Sequence, residues 1–194
     1  MKIMKKFNSA IKFLLFIVAF VYAMYAFLEW GAVGKFIMSA AYRQLERNGM
    51  RMSYSDVTGE EGGFTVNNLA LSGLANISLS SITIKPQILS SLLSLAPVCD
   101  ITFTDANVRL GQNLHLGDGG FLMTAGRREI FLENLRTNGD FALNGYLTVN
   151  LATMKLGRTD ARLNIPDSFA QNMNMLKGFL PLVQEGGRWY LRRQ

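Results

Sequence analysis

Few side chains in this sequence have the types and spacing that catalysis needs. Glu60 and Glu61 are adjacent, Cys99 and His115 are the single cysteine and the single histidine, and Gly117-Asp118-Gly119-Gly120 is the richest glycine cluster. Paired carboxylates act as general acid and base when their surroundings set their pKa values apart. Glu60, Glu61 and Asp118 all fall in turn-like stretches, where solvated carboxylates are the expected content. One cysteine makes no intramolecular disulfide, and one cysteine with one histidine falls short of a zinc ligand set. Cys99 sits in the apolar, strand-like run VCDITF and reads as a small buried hydrophobe. The GDGG piece lacks the lysine and helix start of a phosphate-binding loop, so it reads as a hairpin turn. No catalytic residue, metal ligand or cofactor is expected.

Charge narrows the partners. Of the formal +6, half belongs to the segment up to Trp30, where Lys2, Lys5, Lys6 and Lys12 face only Glu29. The remaining 16 basic and 13 acidic side chains are interspersed, as in Arg127-Arg128-Glu129 and around Arg136, Glu133 and Asp140. A nucleic-acid groove needs a denser basic face, so none is expected. The local excess at Arg188, Arg192 and Arg193, mixed with Trp189 and Tyr190, reads as a final strand with solvated arginines.

The elements that carry these residues begin with a membrane signal. Phe13 to Leu28 is a run of sixteen uncharged residues. As a helix it spans roughly 24 Å, slightly short of a ~30 Å hydrocarbon core. Lys12 and Glu29 can extend it by snorkelling, and Trp30 suits the interface. Basic residues stay on the cytoplasmic side, so Lys2, Lys5, Lys6, Lys12 and Trp30 are expected to set the topology, with the N-terminus inside. The rival is a cleaved signal peptide, with Val21-Tyr22-Ala23 or Met24-Tyr25-Ala26 as the processing site. Bulky Tyr25, Phe27, Leu28 and Trp30 around those sites favour the uncleaved anchor. Trp30 to Arg47 continues at helical spacing through Phe36, Ile37, Ala40, Ala41 and Leu45, predicting a juxtamembrane helix with its apolar side on lipid or on the sheet that follows. Gly31 and Gly34 offer a bend between the two helices.

Beyond Asn48-Gly49 the apolar period changes to two. Met52, Tyr54, Phe64 and Val66 alternate with polar residues around a turn at Gly62-Gly63. Ile77 and Leu79 are out of phase with Ile82 and Ile84, predicting a bulge at Ser80-Ser81. Pro86 opens PQILSSLLSLAP, read as a short helix with proline in its first turn that packs across the sheet end. Strands are predicted over Val98–Leu110, Asn113–Thr124, Ile130–Arg136, Gly139–Leu151 and Asp160–Ile165, with turns at 117–120, 138–139 and Gly157. Phe169, Met173, Leu176, Leu180 and Val183 recur at three- and four-residue intervals after Pro166, predicting an amphipathic helix that ends at Gly186-Gly187 before a last strand.

Phe141, Leu143, Leu147, Val149 and Leu151 share one face of a strand, and Leu163 and Ile165 share that face on the next. This apolar face must be covered by a second layer, by lipid chains or by a partner protein. The expected fold is mainly β with few helices: an N-terminal transmembrane helix, then a curved antiparallel sheet with an amphipathic helix near the C-terminus. Residues 1–30 form the cytoplasmic tip and anchor, 31–48 the juxtamembrane helix and 49–194 the exported sheet domain.

In this order, the anchor, RMSYSDVTGEEGGFTVNNLALSG, ITIKPQILSSLLSL, LENLRTNGDFALNGYLTVNL and the closing GGRWYLRRQ resemble the type II secretion system protein N family over nearly the whole chain. That family in turn resembles, more distantly, AsmA-like envelope proteins with open, curved sheets that hold lipid. The resemblance implies a single-pass inner-membrane protein with a periplasmic domain, a non-catalytic scaffold or accessory component of a type II secretion system. It offers no catalytic residues. Envelope or secretion-system proteins are the implied partners. The alternative it carries is an AsmA-like lipid-binding or lipid-transfer protein.

Overall fold

The computed structural model describes residues 2–47, 49–73, 76–110, 112–153, 155–165, 181–186 and 188–193, with side chains from residue 15 onward except those of 110 and 112. Two helices lead: α1 (Lys2–Phe27) and α2 (Trp30–Arg47). There follow β1 (Arg51–Ser53), β2 (Asp56–Glu60), β3 (Gly63–Ser72), β4 (Asn76–Pro86), α3 (Ile88–Ser94), β5 (Val98–Leu110), β6 (Gln112–Ala125), β7 (Glu129–Thr137), β8 (Ala142–Asn150), β9 (Lys155–Asn164), β10 (Leu182–Glu185) and β11 (Arg188–Arg193). The eleven strands form one sheet in the order β1-β3-β4-β5-β6-β7-β8-β9-β11-β10, with β2 also on β3. Every described pairing is antiparallel. β1 and β2 lie end to end along β3 and make a single broken edge.

The two-residue period of the sequence gives the sheet two unlike faces. Val66 pairs with Ile82, Ile82 with Phe103, and Ile84 with Ile101, so apolar side chains line up across strands on one side. On the other side Thr65 bonds Thr83 at 2.7 Å and Ser81 bonds Thr104 at 2.8 Å. Hydroxyl pairs of this kind stabilise cross-strand neighbours.

α2 covers the apolar face at β1 to β3. Trp30, Gly34 and Met38 are its buried residues. They pack with Met52, Val57, Phe64, Val66 and Leu69, with Ala41 and Leu45 at the margin. Fully burying an aromatic or aliphatic side chain contributes about 1.5–3 kcal/mol, so this cluster is what fixes the helix to the sheet. The partly exposed apolar residues Phe36 and Ile37 lie elsewhere on the helix surface. A second cluster joins Leu114, Phe141, Ala161, Leu163, Leu182, Trp189 and Leu191 at the far end of the strand order.

The apolar phase slips in three neighbouring strands at one level. Buried residues are three apart across the slip in β3 (Val66, Leu69) and in β5 (Phe103, Ala106). Leu79 and Ile82 of β4 both pack on the first cluster. Asn68 and Asp105 adopt positive φ, 51° and 50°. The slip foreseen at Ser80-Ser81 is thus placed differently: the β3–β4 register stays constant across it, and Asn68 and Asp105 on the flanking strands take up the irregularity. A polar seam follows this level. Ser80 Oγ donates to Asp105 Oδ2 at 2.9 Å, the Asp105 N–H to Asp118 Oδ1 at 3.0 Å, and the Asp118 N–H to Asn138 Oδ1 at 2.7 Å.

Four other expectations are corrected. Gly117-Asp118-Gly119-Gly120 is no hairpin turn but lies inside β6. Its glycines serve close approach, since a Cβ on Gly119 would stand 2.6 Å from the Phe103 ring. Gly157 is inside β9, and the turn falls at 151–153. Pro86 ends β4 rather than opening α3, whose side chains are not buried. Val183 belongs to β10, so the predicted amphipathic helix does not extend to it. Phe169, Met173, Leu176 and Leu180 lie outside the described residues.

Candidate functional site at the helix elbow and the apolar sheet face

The candidate functional features of this chain are a junction and a surface. Among the described residues no single helix is long and apolar enough to cross a membrane; Leu15–Phe27 and Trp30–Arg47 qualify only together, and their axes are bent by 77°. The bend falls at Leu28-Glu29 and not at Gly31 or Gly34 as the sequence suggested. The Glu29 carbonyl accepts from the Ala32 and Val33 N–H groups at 3.0 and 3.2 Å and so starts α2. From Leu15 onward α1 is apolar and mostly exposed, with Leu15, Phe16, Val18, Phe20 and Phe27 among its exposed residues. Lys2, Lys5, Lys6 and Lys12 lie on its N-terminal turns.

Trp30 packs inward, only 8% exposed, with its ring 5.0 Å from that of Tyr25 in an edge-on arrangement. Tyr25 Oη donates to the Gly62 carbonyl at 2.8 Å and lies 3.4 Å from the Pro86 carbonyl. The last turn of α1 is therefore bonded to the β2–β3 turn and the end of β4. Gly31 and Gly34 let α2 descend onto the sheet. A Cβ on Gly34 would come within 2.6 Å of the Phe64 ring and 2.7 Å of Val57, and one on Gly59 within 2.7 Å of the Gly31 nitrogen. A cavity of about 360 Å³ remains at the corner, lined by Tyr22, Tyr25, Glu29, Gly59 and Glu61 among others. Nothing in the sequence pointed to the Tyr25 bonds. The pair of small residues at 31 and 34 carried the close approach, but the sequence reading took it for a bend.

The sheet-face residues divide. Leu143 faces Leu163 directly across β8 and β9. Phe141 and Leu163 are buried in the second cluster, with Leu143 and Ile165 packed against it. Leu147 and Val149 are half-buried outside that cluster, opposite Leu132 and Ile130. Leu151 lies past the strand end and is exposed.

Among the described residues the ionisable groups make surface bonds and ion pairs. Glu60 accepts from the Thr65 hydroxyl, and Glu61 is exposed. His115 Nδ1 bonds Asn107 Oδ1 at 3.0 Å on the sheet surface. Cys99 is half-buried, and that burial pushes its thiol pKa up, away from the reactive thiolate. Arg192 bonds Glu185 at 2.8 Å and stands 3.4 Å from Asp160; the Glu185 bond and charge hold its pKa above the ordinary value.

With this architecture in view, residues 8–193 match the family described as type II secretion system protein GspN-like, Synergistales. The chain belongs to that GspN-like family. The resemblance drawn from the sequence thus holds over nearly its full length. No curated protein and no solved structure matches the chain. The chain's sheet is antiparallel and its fold mainly β, and membership in the GspN-like family associates it with type II secretion and suggests envelope or secretion-system proteins as partners.

Proposed function

We propose that this GspN-like chain is a non-catalytic scaffold of a type II secretion apparatus, held in the inner membrane by α1 with its N-terminus in the cytoplasm and the sheet in the periplasm. The observation that carries this reading is the elbow. An exposed apolar helix is joined to the sheet by a packed corner of Trp30, Tyr25, Gly31 and Gly34, so the sheet has a fixed orientation relative to the anchor. The four lysines before the apolar run support the inward N-terminus. The broken β1–β2 edge and the β10 edge leave main-chain groups on which a partner strand can add.

Mild detergent extraction and affinity purification of the full chain tests the scaffold role. Other envelope proteins should co-purify, and a lone monomer under several mild conditions would contradict it. Replacing Glu60, Glu61 and Asp118 by the corresponding amides should leave secretion intact if no acid–base chemistry is involved.

A second reading, lipid held on the sheet, is favoured by the half-buried row of Met123, Ile130, Leu132, Leu147 and Val149, which neither core cluster includes. Mass spectrometry of the gently purified protein decides it. Lipid retained by the wild type and reduced when Leu147 and Val149 are made polar supports the reading, and no retained lipid removes it.

A further inference from the structure

The α3 helix has an unusual surface for an element at the edge of a folded domain. Leu89, Leu92, Leu93 and Leu95 are 74%, 63%, 88% and 93% exposed. From Pro86 to Cys99 there is no charged residue. Hydrophobic transfer alone makes four solvated leucines costly, and contiguous exposed apolar surface marks a site of contact.

Its position says what that contact is. Tyr25, in the last turn of α1, is bonded to Gly62 and lies against the Pro86 carbonyl, two residues before α3 begins. α3 therefore sits beside the point where the apolar helix ends. With α1 along the bilayer normal, the 77° bend lays α2 nearly parallel to the membrane plane. The neighbouring turns lie along the same sheet end. The Ala125 N–H donates to the Pro97 carbonyl and the Leu151 N–H to the Arg128 carbonyl, both at 2.9 Å. They present exposed Leu151, Arg127, Arg128 and Lys155, with Glu129 as the neighbouring acid, while Glu60, Glu61 and Asp100 lie toward α1 and β5. Leucines for the acyl boundary flanked by cations for phosphate head groups are what an interfacial segment needs.

We propose that α3 is a second membrane contact, dipping its leucines into the periplasmic leaflet beside α1. This rests on the reading of α1 as the anchor, and the test separates the two. The full chain, carrying Cys99→Ser and either Leu93→Cys or Val18→Cys, is labelled with an environment-sensitive fluorophore and reconstituted into phosphatidylethanolamine–phosphatidylglycerol vesicles. Leu93 is so exposed that its replacement leaves folding undisturbed. The expected result at position 93 is a blue-shifted emission, quenched by brominated acyl chains and shielded from iodide. Quenching by iodide, or shielding from both quenchers as on a protein surface, overturns the proposal. Position 18 reports on the anchor alone: iodide access there contradicts insertion of α1, while the result at 93 still decides α3.

Discussion

Gly34 is the residue that seats α2 on the sheet beyond the elbow. Its missing Cβ is filled by the rings and methyls of Phe64 and Val57, and Phe64 is fully buried with nowhere to move. Gly34→Ala should therefore lower stability by about 1–3 kcal/mol, the usual cost of overpacking, read as a shift in the urea midpoint of the detergent-solubilised chain. An unshifted midpoint would show that α2 does not bear on the sheet there. Cys99 gives a second prediction at this scale. Its folded pKa is raised by burial, so the native thiol stays protonated above the unfolded value; the stabilisation this gives is fully present below the unfolded pKa and is lost as pH rises from there through the raised folded pKa. Alkylation near pH 8.5 should be markedly slower in the native protein than in urea, and equal rates would contradict the burial.

The elements turn on the slip across β3, β4 and β5. Asn68 and Asp105 tolerate the left-handed backbone that resets the phase, and β-branched residues do not. Asp105→Val should cost about 1–2 kcal/mol and Asp105→Gly much less, measured by thermal unfolding; equal effects would mean the side-chain bond to Ser80, not the backbone, is what matters. Most strands were legible because alternation is a direct record of one buried face. The β3 and β4 phases were legible for the same reason, but a single sequence cannot say which of three adjacent strands absorbs the slip. The glycines at 117–120 misled because a turn and a close approach ask for the same residue. At Gly119 the Arg136 carbonyl and the ring of Phe103, on the two neighbouring strands, leave no room for a Cβ. α3 was legible as a helix, yet its exposed leucines were not, since apolar periodicity does not distinguish a core from a lipid surface.

For the whole molecule, the apolar run after four lysines and the packed corner beyond it support the proposed reading of α1 as an anchor that orients the sheet outside the cytoplasm. The candidate sheet face was legible in Phe141, Leu143, Leu163 and Ile165, which share or border one cluster. The elbow was not legible, because Tyr25 reaches Gly62 across 37 residues. The central claim is tested most directly by a membrane-impermeant maleimide applied to spheroplasts carrying the Cys99→Ser chain with either Ser72→Cys, at the exposed end of β3, or Lys2→Cys. The account predicts that position 72 is labelled on intact spheroplasts and position 2 only after lysis. Labelling of position 2 from outside, with position 72 protected until lysis, would contradict it.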